Sequence, residues 1–197
     1  DFFLPDALEG AVSGLAKHRA DLNIKALNVR QEIKHTARQP TAQDKQALVK
    51  YSGWGGLASI LGKSDNHPIL SQLIQLVDRA ELDAIKRSSL TAFYTPPSII
   101  HAMWDIARHL GFDGGRFFDP STGTGHFIGA TPKDIAANTA FSARELDNVT
   151  ADIAQMLYGE NIIKHQGYEK AKIPPSYFDL VMSNIPFGDF KVFDPEY

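Results

Sequence analysis

No cysteine occurs among the 197 residues, which excludes disulfides and thiolate-held metal sites and marks the chain as cytosolic in expectation. No apolar run approaches the roughly 18 residues that a membrane-spanning helix needs, and the start carries no signal-peptide pattern. Internal repeats and low-complexity tracts are also missing, so solenoid and disordered architectures are set aside. Charge of one sign is not in excess either: the formal net charge is −3, which by itself argues for no polyanionic partner. What is there is an ordinary globular composition, 43% hydrophobic and 10% aromatic, at a length that suits one domain or one and a half.

The charges are unevenly placed. Residues 17 to 50 hold eight Lys and Arg (Lys17, Arg19, Lys25, Arg30, Lys34, Arg38, Lys45, Lys50) against three acids (Asp21, Glu32, Asp44). Such a stretch is either a solvated helix face or a phosphate-contacting surface; on the second view Lys25, Arg30 and Lys34 contact DNA. Over the same stretch Val12, Leu15, Leu22, Ala26, Val29 and Ile33 recur at steps of three and four, with Arg19 in the slot that breaks the series, which predicts one long amphipathic helix. Pro40-Thr41 opens a short helix from about Ala42 to Lys50. It runs into Tyr51-Ser52-Gly53-Trp54-Gly55-Gly56, where three glycines around a tryptophan predict a tight turn. Further helices are expected at Pro68–Val77 and Glu81–Lys86, making residues 1–90 an all-helical lobe.

The pattern changes at Leu90–Pro97. Thr95 is a good N-cap and Pro96 suits a first helical position, so a helix is expected from there to Leu110. Beyond it short hydrophobic runs at Arg116–Asp119, Thr139–Arg144, Asn161–His165 and Phe178–Ser183 alternate with helical segments near Gly125–Ala130 and Asp147–Leu157. Strand and helix in that rhythm predict an α/β fold with a parallel sheet in residues 91–197.

In such sheets ligands lie beyond the carboxyl ends of the strands. The first strand there runs into Asp119-Pro120-Ser121-Thr122-Gly123-Thr124-Gly125-His126-Phe127, an acid followed by a glycine turn whose backbone N–H groups can face a ligand at close range. The third glycine, Gly129, falls one residue late for the GxGxxG of dinucleotide enzymes. The second strand ends at Glu145, near the spacing at which an acid accepts hydrogen bonds from ribose hydroxyls. The fourth runs into Asn184-Ile185-Pro186-Phe187, which sends a carboxamide and an aromatic face into the cleft or makes a plain Asx turn. His126 reads as structural and His101 as an ordinary helix residue.

Taken in order, these motifs resemble those of the DNA methyltransferases that use S-adenosylmethionine to methylate the N6 amine of adenine. Phe93-Tyr94-Thr95-Pro96 looks like the motif that holds the methionine part of the cofactor, Asp119–Phe127 like the cofactor loop, and Glu145 like the ribose acid. Asn184, Ile185, Pro186 and Phe187 resemble the catalytic tetrad, with Ile185 where the first proline is usual. Where many relatives place an Asp against the cofactor's adenine, the run here is Gln166-Gly167-Tyr168-Glu169, so Tyr168 or the Gly167 N–H takes that part. Tyr51–Leu57 upstream, with Ser183–Phe190 and Asp194-Pro195-Glu196-Tyr197 downstream, are similar to large plasmid and phage proteins in which such a methyltransferase is joined to a helicase-like region and serves restriction or anti-restriction. The resemblance implies a partial Rossmann-like sheet in the order 3-2-1-4, with further strands and a target-recognition region after the tetrad, so that this chain is expected to be a fragment.

The chemistry implied is specific. An adenine amine is a poor nucleophile because its lone pair is delocalised; the Asn184 side-chain oxygen and the Ile185 carbonyl would accept its two hydrogens, while Phe187 stacks on a base drawn out of the duplex. The same lone-pair problem arises for RNA bases and for protein glutamine, so a methyltransferase of those substrates is an alternative. A non-enzymatic DNA- or protein-binding fragment is another.

Overall fold

Parallel pairing organises the second half of the chain. A computed structural model describes residues 3–4, 8–62 and 67–187; the sequence features at Gly188, Asp189, Phe190 and Asp194–Tyr197 lie outside the described residues. Among the described residues six α-helices come first: α1 (Glu9–Ser13), α2 (Ala16–Thr36), α3 (Ala42–Leu48), α4 (Ala58–Leu61), α5 (Pro68–Leu76) and α6 (Arg79–Ser88). The one long helix expected from Val12 is two. Gly14 and Leu15 are extended, and Leu15, counted as an apolar slot by periodicity, is 83% exposed. Thr41 and Asp78 open α3 and α6 with reciprocal capping boxes to Asp44 and Glu81, which satisfy otherwise orphaned backbone N–H groups. The Arg38 guanidinium bonded to Asp44 holds that carboxyl well below the usual range.

The next helix, α7, spans Pro97–His109, with Pro96 rather than Thr95 at its N-cap. Pro97 disfavours helical backbone at the residue before it, so Pro96 stays extended and the helix starts one position later than expected. Glu9 then accepts from the Ser98 backbone N–H and hydroxyl, completing the first turn from outside.

The sheet consists of β1 (Gly115–Asp119), β2 (Thr139–Glu145), β3 (Ile163–His165) and β4 (Leu180–Val181), all parallel in the order β3-β2-β1-β4. Between strands lie α8 (His126–Gly129), α9 (Lys133–Ala136) and α10 (Asn148–Tyr158); α9 was not expected. The fourth strand is shorter than its apolar run. Phe178 stacks on Phe118 (4.6 Å between centroids), the Asp179 carboxylate accepts from Arg116, and Ser183 leaves the ladder to reach Asp119.

Trp104 of α7 stacks on Phe117 and donates its Nε1–H to Phe127 O (2.9 Å), centring the core on one face of the sheet. A second apolar cluster joins α2, α3, α5 and α6 to Tyr51, Trp54 and Leu57, and is closed by Val149, Ile153 and Leu157 of α10. Ala154, on the other side of α10, belongs to the sheet core. One helix thus serves both regions, bringing the helical half over the carboxyl ends of the strands.

Candidate functional site

Because every strand is parallel, all carboxyl ends share one rim. At the end of β1 the Asp119 carboxylate accepts from the Ser121 backbone N–H (3.2 Å), turning the chain, and Gly123 and Gly125 follow at φ +57° and +81°. The turn is pinned to β2: Thr122 N–H donates to Arg144 O (2.9 Å) and Gly123 N–H to Glu145 Oε2 (2.8 Å). It is also pinned to the chain leaving β4, since the Ser183 hydroxyl donates to Asp119 Oδ1 (2.6 Å). The glycine turn and the Asn184 segment therefore converge at the same edge.

Asn184 Nδ2 donates to Phe93 O (2.7 Å) and Phe187 N–H to Thr91 O (3.0 Å), laying residues 184–187 along the segment that precedes α7. A cavity of about 100 Å3 lies between these pieces. Of the residues singled out in the sequence, Tyr94, Thr95, Ser121 and Gly123 line it, as do Phe127, Glu145, Asn184 and Pro186. Asp119 is fully buried beneath the rim, with Pro120 beside it, and Pro96 is the N-cap of α7. Gly125 faces away, its hydrogen packed against the Tyr158 ring. Ile185 and the Phe187 ring are exposed at the mouth, the ring 6.4 Å from that of Phe93. Tyr168 is not brought to the cavity: it is exposed on a 3-10 turn (Tyr168–Lys170) with its ring 6.3 Å from Phe118.

The helical half contributes lining that the sequence did not assign. Tyr51, Gly53 and Trp54 reach the cavity from the turn after α3, and Asp147 and Thr150 from the start of α10. Asp147 could be recognised as the N-cap of α10, two residues past the β2 acid, where its carboxylate accepts from the Thr150 N–H and hydroxyl. Tyr94 fills the gap between the two glycine turns; a Cβ at Gly53 would lie 2.8 Å from its ring and one at Gly123 3.1 Å away. His126 donates Nε2–H to Val49 O (3.1 Å), and burial pushes its pKa down to about 4, so it is a neutral structural group.

Burial raises the pKa of two carboxyls here. Removal from water pushes Glu145 up to about 7, with Asp147 and Asp119 adding repulsion, and pushes Asp119 up to about 6. Both folded values exceed the ordinary ones, so their contribution to stability is present below about pH 4 and is lost as pH rises through 6 to 7. The ligand-free chain should accordingly melt at a higher temperature at pH 5.5 than at pH 8, and Glu145→Gln should flatten that difference. An unchanged pH profile in the variant would contradict the assignment.

Several cations of the basic stretch are engaged within the fold. Arg30 is 3% exposed and is bonded to Glu81 of α6 and Asp152 of α10, which removes it from any phosphate contact. Lys34 pairs with the same Asp152, Arg38 with Asp44, and Arg19 donates to Gly55 O (2.9 Å). Lys25 is exposed on α2. Among the described residues no helix is long and apolar enough to cross a membrane, and no cluster of His, Asp or Glu is placed to hold a metal ion.

No protein-family model matches the chain. Over 165 residues it is 30% identical to the "Defense against restriction protein B" of Escherichia phage P1, an alignment covering 73% of this chain and 7% of that protein. Among solved structures it is similar to the type I restriction-modification system methyltransferase subunit from Streptococcus thermophilus, at a TM-score of 0.42 and 17% identity, over 84% of this chain and 44% of that one. The chain thus spans only a small part of its curated relative, and what it shares is a segment of a phage anti-restriction protein.

Proposed function

We propose that the chain is the cofactor-binding and catalytic region of an S-adenosylmethionine-dependent methyltransferase acting on the N6 amine of adenine in DNA. The observation that supports this most is the meeting of the Gly123 turn and Asn184 at one cavity. The groups present suit the cofactor. Thr122 and Tyr94 line the cavity, and their hydroxyls make no hydrogen bond of ordinary geometry, with the side chains of Asp119 and Thr150 as their polar neighbours; a ligand carrying hydroxyl, ammonium and carboxylate groups supplies partners for such atoms. Glu145, at the end of β2, suits ribose hydroxyls. A nucleoside needs more than about 100 Å3, since small-molecule sites run to roughly 300 Å3 and above, so the Tyr94 ring must turn away from Gly53 and Gly123 to admit it.

When bound, the cofactor supplies a methyl group on a sulfonium, an activated leaving group, so the protein need only orient the acceptor amine. Asn184 is suited to this. Its NH2 is held by Phe93 O, which fixes the carboxamide and leaves Oδ1 to accept an amine hydrogen. The Ile185 carbonyl accepts the other hydrogen, and Phe187, beside Phe93 at the mouth, stacks on the base. DNA is the proposed partner. The match to a segment of a far longer relative supports operation together with further regions, for which the resemblance suggests a target-recognition part and a helicase-like one.

Labelled cofactor offered with DNA, RNA and a glutamine-containing peptide tests the substrate class: label is expected in DNA adenine, and label confined to RNA or peptide would overturn the DNA assignment. Gly123→Val is expected to weaken cofactor binding at least about 100-fold, because a β-branched residue is strained at φ +57° and its side chain meets the Tyr94 ring. Equilibrium dialysis checks this; affinity within threefold of the parent would contradict it.

A further inference from the structure

The turn at residues 51–56 is more rigidly built than a connection between α3 and α4 requires. Asn23, on α2 and fully buried, donates Nδ2–H to Gly53 O (2.6 Å) and accepts from Ser52 N–H (3.0 Å), clamping both sides of one peptide link. The Ser52 hydroxyl donates to Ala11 O (2.8 Å). Gly55 lies so close to the segment that precedes α7 that a Cβ there would sit 1.9 Å from Ala92 O. Two bonds then tie the turn region to the cofactor loop: Thr124 Oγ1 to Tyr51 O (3.4 Å) and His126 Nε2 to Val49 O. Two glycine turns, far apart in sequence, face each other across the Tyr94 ring.

Trp54 sits in this wall. It is 1% exposed and lines the cavity, and its indole Nε1–H makes no hydrogen bond of ordinary geometry, the Tyr51 side chain of the same turn being its polar neighbour. An indole in the wall of a cavity offers a large flat apolar face, with a polar edge, to a ring-bearing ligand. We propose that the 51–56 turn is the second wall of the cofactor site, with Trp54 in contact with the bound nucleoside and Asn23 as the positioning residue that sets the turn. The inference rests on the methyltransferase reading above and assigns the helical half a direct part in it.

The chain has two tryptophans, and Trp104 is committed to the sheet core through its bond to Phe127 O. Both emit, so Trp104→Phe leaves Trp54 as the single reporter. Titration with S-adenosylhomocysteine should change the fluorescence of the parent and of Trp104→Phe, while Trp54→Phe should lose that change and bind about tenfold more weakly by calorimetry. Asn23→Ala should weaken binding by a similar factor and shift the ligand-free Trp54 emission to the red; circular dichroism checks its folding, and Trp54→Phe, a conservative change, decides the matter if that variant does not fold. Calorimetric binding by the parent together with unaltered affinity and emission change in Trp54→Phe would overturn this assignment and leave the methyltransferase standing. An absence of binding by the parent would overturn both.

Discussion

Asn184→Ala is expected to lower methyl transfer to DNA by at least about 100-fold, the loss typical when one preorganised polar group aimed at the reacting centre is removed. Cofactor affinity should stay within about threefold of the parent, because Asn184 meets the cavity from the tetrad side and makes its one bond to Phe93 O rather than to the glycine turn. The split between rate and affinity separates a catalytic role from a structural one. If Asn184 merely fastened its segment to the one that precedes α7, the still-attached Phe187 N–H to Thr91 O bond would hold the geometry and turnover would survive. Labelled transfer assays beside calorimetry measure both; turnover retained within tenfold would remove Asn184 from the chemistry.

Arg30→Ala is expected to destabilise the chain by about 3–5 kcal/mol in chemical denaturation, the cost of stranding a buried charge partner. Glu81 is 9% exposed and, once the guanidinium is gone, keeps only neutral donors, Asn148 Nδ2 on Oε1 and the Asp78 N–H on Oε2, while Asp152 keeps Lys34. The three helices that Arg30 joins, α2, α6 and α10, are those that set the helical half over the sheet rim, so cofactor affinity should fall with stability. Lys25→Glu, on the exposed side of α2, should leave stability within about 0.5 kcal/mol, as surface changes generally do. A loss below 1 kcal/mol for Arg30→Ala would return that residue to the solvated face.

What was legible in the sequence was whatever short range dictates. The acid-and-glycine turn after β1, the acid ending β2 and the carboxamide after β4 are local signals. A parallel sheet then carries them to one rim, since strand direction fixes where every carboxyl end lies. Helix starts were legible where a side chain caps its own neighbours, as at Thr41, and failed at Thr95, where a second proline overrode a good capping residue. Long-range pairing was not legible. Arg30 looked like a phosphate contact because its partners lie 51 and 122 residues away. Tyr51, Gly53 and Trp54 stood out as a turn, but nothing local says that Asn23 clamps that turn against Tyr94. Periodicity also misjudged Leu15, because a three-four spacing persists in sequence across a glycine that breaks the helix in space.

Calorimetric titration of the intact chain with S-adenosylhomocysteine tests the central claim most directly, since it probes the cavity without requiring a methyl acceptor. Saturable heat at one site per chain, abolished by Gly123→Val and preserved in Asn184→Ala, is the expected result. Absence of heat from a chain shown to be folded, or binding that Gly123→Val leaves intact, would contradict it.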